Sequence, residues 1–360
     1  NEEYYLDLPG DNTSTPFRTV KGLMVKVASD PRPMLTDEAI ASAKIPMTAE
    51  EIVWFRQRNI SMLLPMTAGN RVVGFLGLRF KYGREDYAAE DLKILSSIAT
   101  QAGLASENIR LLEENLEKKR MEEELQIARR IQQGFLPTEI PQPPELEIAA
   151  LNRFCLEVAG DYYDIIDYKD CGTVLAIGDV SGKGAGAALL MANLQASLRT
   201  ALGISDNLAH LVERINDLIY QNTPPEQYIT FFTGFYDPVS GGFTYVNAGH
   251  NAPYIISPEG EVRELSTGGL ILGFMPGAGY EQETVKLNSG DLILLYTDGV
   301  TEAMDDNEQE FGEQRLIDFV KANAELPVME ILARLEAVVL EYTGYRPLAD
   351  DFTLLMARVK

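Results

Sequence analysis

The stretch AIGDVSGKGAG, Ala176–Gly186, decides how this chain is read. It runs from an apolar, β-type segment into an aspartate and then into a glycine-rich turn. A buried strand that ends on a carboxylate cannot leave that charge without a partner, because burying an isolated ion costs several kcal/mol or more. Three other stretches repeat the arrangement of aspartate at a strand end or tight turn: GDYYD (Gly160–Asp164), LLYTDGVTE (Leu294–Glu302) and ADDFTLL (Ala349–Leu355). Any one of them alone is read more simply as a turn. Four together, with only Lys183 placed nearby as a cation, point to hard divalent ions held by oxygen ligands.

Other catalytic apparatus is largely missing. The chain has two histidines, His210 and His250, too few for a histidine-rich zinc site. His210 falls in a helical pattern and reads as structural. A cysteine phosphatase needs an arginine six residues after its nucleophile; Cys155 is followed there by Asp161 and Cys171 by Ile177. Gly178–Lys183 resembles a phosphate-binding loop, but the spacing is one short and Gly184 stands where Ser or Thr is required. The glycines are read instead as a sharp turn beside metal that opens a helix at Ala185.

Composition narrows the partners. With 54 acidic against 31 basic residues the net charge is -23 over 360 residues, which disfavours nucleic acid and anionic lipid. Two cysteines argue against a disulfide framework and for a reducing, cytoplasmic setting. No apolar run approaches the roughly 18 residues of a membrane span. Asn1–Gly10 lack the basic start and apolar core of a signal peptide.

Length alone suggests two domains and a connector. The first segment, residues 1–110, holds strand-like stretches at Lys21–Ala28 and Arg71–Phe80 and a helical stretch at Ala88–Ile109, a small α+β pattern. Residues 111–140 form the connector. The helical pattern there, spanning 104–136, has no Pro or Gly between Glu107 and Gln133. Ile109, Leu112 and Leu116 recur at helical spacing, and Met121, Leu125, Ala128 and Phe135 continue in a register shifted near Lys118–Arg120. That stripe reads either as a connector packed on one domain or as a parallel coiled coil that makes a homodimer. Residues 141–360 mix strands, expected at Thr173–Gly178, Phe243–Asn247, Asp291–Tyr296 and Phe352–Val359, with helices expected at Gly184–Leu202 and Ile204–Asn222.

At this point a resemblance becomes specific. IQQGFLP (Ile131–Pro137), GDYYD, GDVSGKGAGAAL, FFTGFYD (Phe231–Asp237), NAGHNAP (Asn247–Pro253), GGLILG (Gly268–Gly273), YTDGVTEA and DDFTLL follow one another in family order. Over about 125–360 the chain resembles the bacterial SpoIIE/RsbU branch of the PPM metal-dependent protein phosphatases. The resemblance implies an α+β, PPM-type α-β-β-α sandwich that binds two divalent cations, Mn²⁺ or Mg²⁺. It implies that Asp179 bridges both metals with the Val180 carbonyl in the same site, that Asp161 serves one metal, and that Asp298 and Asp350 hold the other. Asp350, not Asp351, matches the first acid of the family's Asp-Asp/Asn-x-Thr motif. Two departures stand out. His250 occupies the place where many relatives carry an acid, which puts a third metal in doubt. Only Arg153 lies near the position of a phosphate-binding arginine. His250 and Asn251 are read either as shaping the substrate site or as structural.

The first segment resembles the later part of a GAF domain, in LLPMTAGNRVVGFLGLRF (Leu63–Phe80) and in the run Tyr87–Leu112. The implied function is a cytoplasmic protein serine/threonine phosphatase of bacterial signalling. Its implied substrate is a phosphorylated STAS-domain anti-sigma-factor antagonist, and its implied regulation runs through the N-terminal domain, with a small molecule or a protein as input. The alternatives are a catalytically silent adaptor of the same fold and a different metal-dependent enzyme such as a nucleotide cyclase.

Overall fold

The computed structural model describes residues 29–41, 49–81, 86–168, 172–202, 207–224 and 227–360. The expected strand at Lys21–Ala28 and the second cysteine, Cys171, lie outside them. The chain divides into two compact units, Asn1–Arg120 and Met121–Lys360.

In the first unit, β1 (Met34–Leu35), β2 (Ile60–Ala68) and β3 (Arg71–Arg79) make an antiparallel sheet in that order. The β2–β3 hairpin closes through Gly69-Asn70, with Gly69 at φ 59°, the left-handed conformation that such two-residue turns require. Helices α1 (Thr36–Ala41) and α2 (Ala49–Gln57) accompany the sheet. Met34, Ala39, Phe55 and Leu63 form its small core. The stretch Leu63–Phe80 that resembles a GAF domain is thus largely this hairpin.

The two helical stretches read separately in the sequence are one unbroken helix, α3 (Ala89–Gln133). Glu90 and Asp91 in its first turn complement the helix dipole. Gly103 lets α3 lie against β2: a Cβ there would sit 2.6 Å from the Thr67 amide nitrogen. The boundary between the units falls inside α3, at the register shift near Lys118–Arg120.

The second unit carries two sheets. One is antiparallel, in the order β10 (Val262–Glu264), β9 (Tyr254–Ile256), β13 (Leu292–Tyr296), β14 (Phe352–Val359), β4 (Leu146–Arg153). The other runs β11 (Gly268–Gly269), β8 (Gly242–Ala248), β7 (Ile229–Asp237), β6 (Thr173–Val180), β5 (Tyr162–Asp167), with β12 (Glu283–Lys286) also pairing β8. β13 is apolar throughout and β14 is apolar apart from Thr353 and Arg358, because alternate residues of each strand enter different cores. Ile293, Leu295, Leu355 and Ala357 face the main core, while Leu292, Leu294, Leu354 and Met356 face a second one. Helices α4 (Ala185–Ala201) and α5 (Leu208–Asn222) contribute to the first core. The short α6 (Asp298–Thr301), then α7 (Glu313–Ala322) and α8 (Val328–Tyr342), contribute to the second. The result is the expected α-β-β-α sandwich. Helix α5 begins at Leu208, capped by the Asn207 side chain on the His210 amide; the His210 side chain is exposed.

Candidate metal centre

All four carboxylates expected to hold metal stand at strand ends. The β5–β6 register pairs Tyr162 with Gly178, so the next positions outward, Asp161 and Asp179, face each other. Asp298 follows β13 as the first residue of α6. Asp350 lies just before β14, and β13 and β14 are antiparallel neighbours, so these two acids also meet at one end. Gly299 permits that approach. A Cβ on it would come within 2.0 Å of the Asp351 carbonyl oxygen, so only glycine brings the turn after β13 against residues 350–351.

Asp161 is buried. Its Oδ2 accepts hydrogen bonds from the Thr297 hydroxyl at 2.8 Å and from the Thr353 hydroxyl. The Thr353 hydroxyl in turn accepts from the Asn152 side chain at 2.7 Å. Because both hydroxyls converge on Oδ2, Oδ1 remains available as a ligand atom.

The electrostatics show charge crowding. Burial, then the Asp179 charge, raises the Asp161 carboxyl well above the usual carboxylate range. Burial, then Asp298, Asp350 and Asp351, pushes Asp179 up to about 7, with Lys183 opposing. Burial, then Asp350, raises Asp298 as well. Carboxylates collected this tightly need more positive charge than one lysine supplies. Gly160 borders the same space: a Cβ there would meet the Val180 carbonyl oxygen at 3.0 Å and Asp179 Oδ1 at 3.5 Å. Carboxylate and carbonyl oxygens are the donors that hard divalent ions take. The residues present therefore fit divalent cations of this kind.

Among the described residues, Cys155, Asp350 and Asp351 form a trio of potential ligand groups whose candidate atoms lie within 4.8 Å of one another. Two of these have other work. Asp351 accepts from the Cys155 amide (2.8 Å) and the Gly160 amide (2.8 Å), one on each oxygen, which fixes the loop leading to Asp161. Burial, then the Asp351 charge, pushes the Cys155 thiol up to about 11, so it stays protonated near neutral pH. Asp350 is left as the candidate ligand of this group.

The sequence reading gives no role to several supporting residues. Thr297 and Thr353 sit inside YTDG and DDFT, but nothing linear says that they meet Asp161. Gln132, in the last turn of α3, is buried and grips the Ala159 backbone at both ends, donating to its carbonyl (2.6 Å) and accepting from its amide (3.0 Å). Asp164, fully buried, is held by Arg199 through two hydrogen bonds of 2.8 and 3.0 Å and by the Tyr162 hydroxyl. His250 is structural. It is buried, with Nδ1 2.9 Å from the Thr230 hydroxyl on β7 and Nε2 3.1 Å from the Tyr296 carbonyl on β13, and so ties one sheet to the other. Arg153 is paired with Glu336 at 2.6 Å.

A family model described as Stage II sporulation protein E (SpoIIE) matches residues 169–360. The phosphoserine phosphatase RsbU of Bacillus subtilis is 30% identical over 240 residues, 66% of this chain and 70% of RsbU. The chain belongs to the SpoIIE family. Protein IcfG of Synechocystis sp. is 31% identical over 238 residues; the match takes in 58% of this chain and spans 38% of IcfG's own length. Among solved structures, the SiaA-PP2C domain of Pseudomonas aeruginosa aligns with a TM-score of 0.60 at 22% identity, covering 68% of this chain and 98% of that domain. This last likeness establishes the PP2C-type fold of the SpoIIE unit. Among the described residues no helix is long and apolar enough to cross a membrane.

Proposed function

We propose that this SpoIIE-family chain is a metal-dependent protein phosphatase that hydrolyses a phosphoserine or phosphothreonine monoester. The observation that carries the reading is the meeting of Asp161, Asp179, Asp298 and Asp350, from four separate segments, at one end of the paired sheets. RsbU bears the name of a phosphoserine phosphatase, which supports the same chemistry here.

In this reading Asp161, Asp179, Asp298 and Asp350, together with the Val180 carbonyl, would hold the divalent ions, and Asp179 stands between Asp161 on one side and Asp298 and Asp350 on the other. Bound there, Mn²⁺ or Mg²⁺ supplies the positive charge that ionises water near neutral pH and offsets charge on the phosphoryl oxygens. The protein's own residues do the positioning. Thr297 and Thr353 fix the plane of the Asp161 carboxylate, Asp351 fixes the Gly160 amide, and His250 fixes the spacing of β7 and β13. In the overall reaction a water oxygen joins phosphorus, the bond from phosphorus to the serine or threonine oxygen breaks, that oxygen takes a proton, and inorganic phosphate leaves. No phosphoenzyme forms.

The substrate that best suits the family is a phosphorylated STAS-domain protein of a partner-switching pathway. Regulation by the N-terminal unit, read as GAF-like, would reach the site through α3, whose last turn holds Ala159, two residues from Asp161, by way of Gln132. Ile109, Leu112 and Leu116 are exposed on α3 of the single chain, which supports a homodimer formed along that helix. The deciding assay is release of phosphate from a phosphorylated STAS protein with Mn²⁺ and with EDTA. Release that persists in EDTA, or that is equal for Asp179→Asn, would sink the reading. Removal of residues 1–110 with no change in activity or in mass in solution would sink the regulatory part.

A further inference from the structure

Lys183 stands apart from the other basic residues of the second unit. Gly182 (φ 88°) and Gly184 (φ 80°) flank it in the left-handed region, where side chains with a Cβ are strained, and a Cβ at either position would meet nothing within 4 Å. The glycines are therefore present for backbone shape, not for want of room. The shape they give brings the Lys183 ammonium over the carboxylates. Nζ lies 2.9 Å from Asp350 Oδ2 and donates to the Ala349 carbonyl at 2.6 Å. Its charge acts against the crowding at Asp179, Asp298 and Glu302 as well. Both partners are about half exposed, so the ammonium can leave Asp350 for solvent without a buried group losing its partner.

A carboxylate oxygen that holds an ammonium at 2.9 Å is the same oxygen a divalent ion would use, and the ammonium must withdraw when the ion arrives. We propose that Lys183 is a built-in counter-ion that keeps Asp350 in place before metal binds and competes with metal for it, so that it sets the divalent-ion concentration at which the site fills. The inference rests on the metal-dependent reading above and concerns a positioning residue. A phosphoryl oxygen entering the site would find the displaced ammonium within the same loop.

The test uses the full chain stripped of metal and Mn²⁺ as the probe, followed by calorimetric titration and by thermal melts. Lys183→Gln keeps a hydrogen-bond donor for the Ala349 carbonyl without the charge, and Lys183→Arg keeps the charge. Lys183→Gln should bind Mn²⁺ about tenfold more tightly than the parent, and Lys183→Arg within about threefold of it; these are the scales expected for removing or keeping one unit charge a few ångströms from the ion. In EDTA, Lys183→Gln should melt below the parent, and saturating Mn²⁺ should close or reverse that gap. A purely structural lysine would leave the gap unchanged. Parent protein that binds Mn²⁺ with Lys183→Gln of equal or weaker affinity overturns this inference and leaves the phosphatase reading intact. Parent protein that binds no Mn²⁺ overturns both. If Lys183→Gln does not fold, the comparison passes to Lys183→Met; failure of that variant to fold even with Mn²⁺ present marks the lysine as structural and also overturns the inference.

Discussion

The Thr297 hydroxyl donates to Asp161 Oδ2 at 2.8 Å, although 136 residues separate them in the chain. Thr297 follows β13 of one sheet and Asp161 precedes β5 of the other. The bond therefore joins the two layers of the sandwich at the end where the acids collect, and Thr353, entering β14, donates to the same oxygen.

Removing the Thr353 hydroxyl tests that arrangement. Thr353→Val keeps the shape and deletes the donor, which should weaken Mn²⁺ binding by roughly 10- to 100-fold, the usual cost of losing a group that orients a metal ligand. Thr353→Ser should stay close to the parent. Equal Mn²⁺ affinity in the valine and serine variants would show that Asp161 is oriented by something else.

Asp179 lies at the centre of the crowded carboxylates. Asp179→Asn should lower turnover by several orders of magnitude, because charge at the reacting centre is usually the largest catalytic contribution. It should also melt no lower than the parent in EDTA, since one of the repelling charges is gone. Phosphate release and circular dichroism melts check the two halves. A variant with near-parent turnover refutes the assignment.

His250 gives a pH signature. Burial lowers its pKa from an ordinary 6.5 to about 4. The unfolded chain therefore binds the proton more readily between those values. The contribution is fully present above pH 6.5 and is lost as pH falls toward 4, with a ceiling of roughly 3 kcal/mol by linkage. The raised carboxyls of Asp161 and Asp179 slope the other way, because protonation favours the folded form. The measurement is therefore a difference: denaturant unfolding of the parent against His250→Gln at pH 5 and pH 7.5. The gap between them should shrink at pH 5, and a constant gap would contradict a neutral, buried imidazole.

Arg199 holds the fully buried Asp164. Arg199→Ala leaves that carboxylate without its cation and should cost about 3 kcal/mol of stability, the lower end for breaking a buried pair because Arg199 itself is half exposed. Urea unfolding checks it. Arg199→Ala together with Asp164→Asn should recover part of the loss, and no recovery would mean that the pair is not coupled.

The sequence by itself determined the β-type runs of the sandwich, the helix opening at Ala185 and the aspartates at strand ends. These are local matters: alternation, glycine turns and a charge that a buried strand cannot carry alone. It also placed a single cation, Lys183, in that company. The sequence did not show that Ala88–Ile109 and the connector are one helix, because a shift of apolar register near Lys118–Arg120 looks the same whether the backbone bends or continues. Nor did it show which neighbour holds Asp161. Thr297, Thr353 and Gln132 lie in the stretches YTDGVTEA, DDFTLL and IQQGFLP, but they act through contacts across the fold that linear order does not show. The tertiary structure gave the physical difference between Asp350 and Asp351, which the motif had set apart: Asp350 Oδ2 faces the half-exposed Lys183 ammonium, whereas Asp351 has both oxygens held by the amides of Cys155 and Gly160. It also settled His250, whose ring spans two strands that only folding brings together.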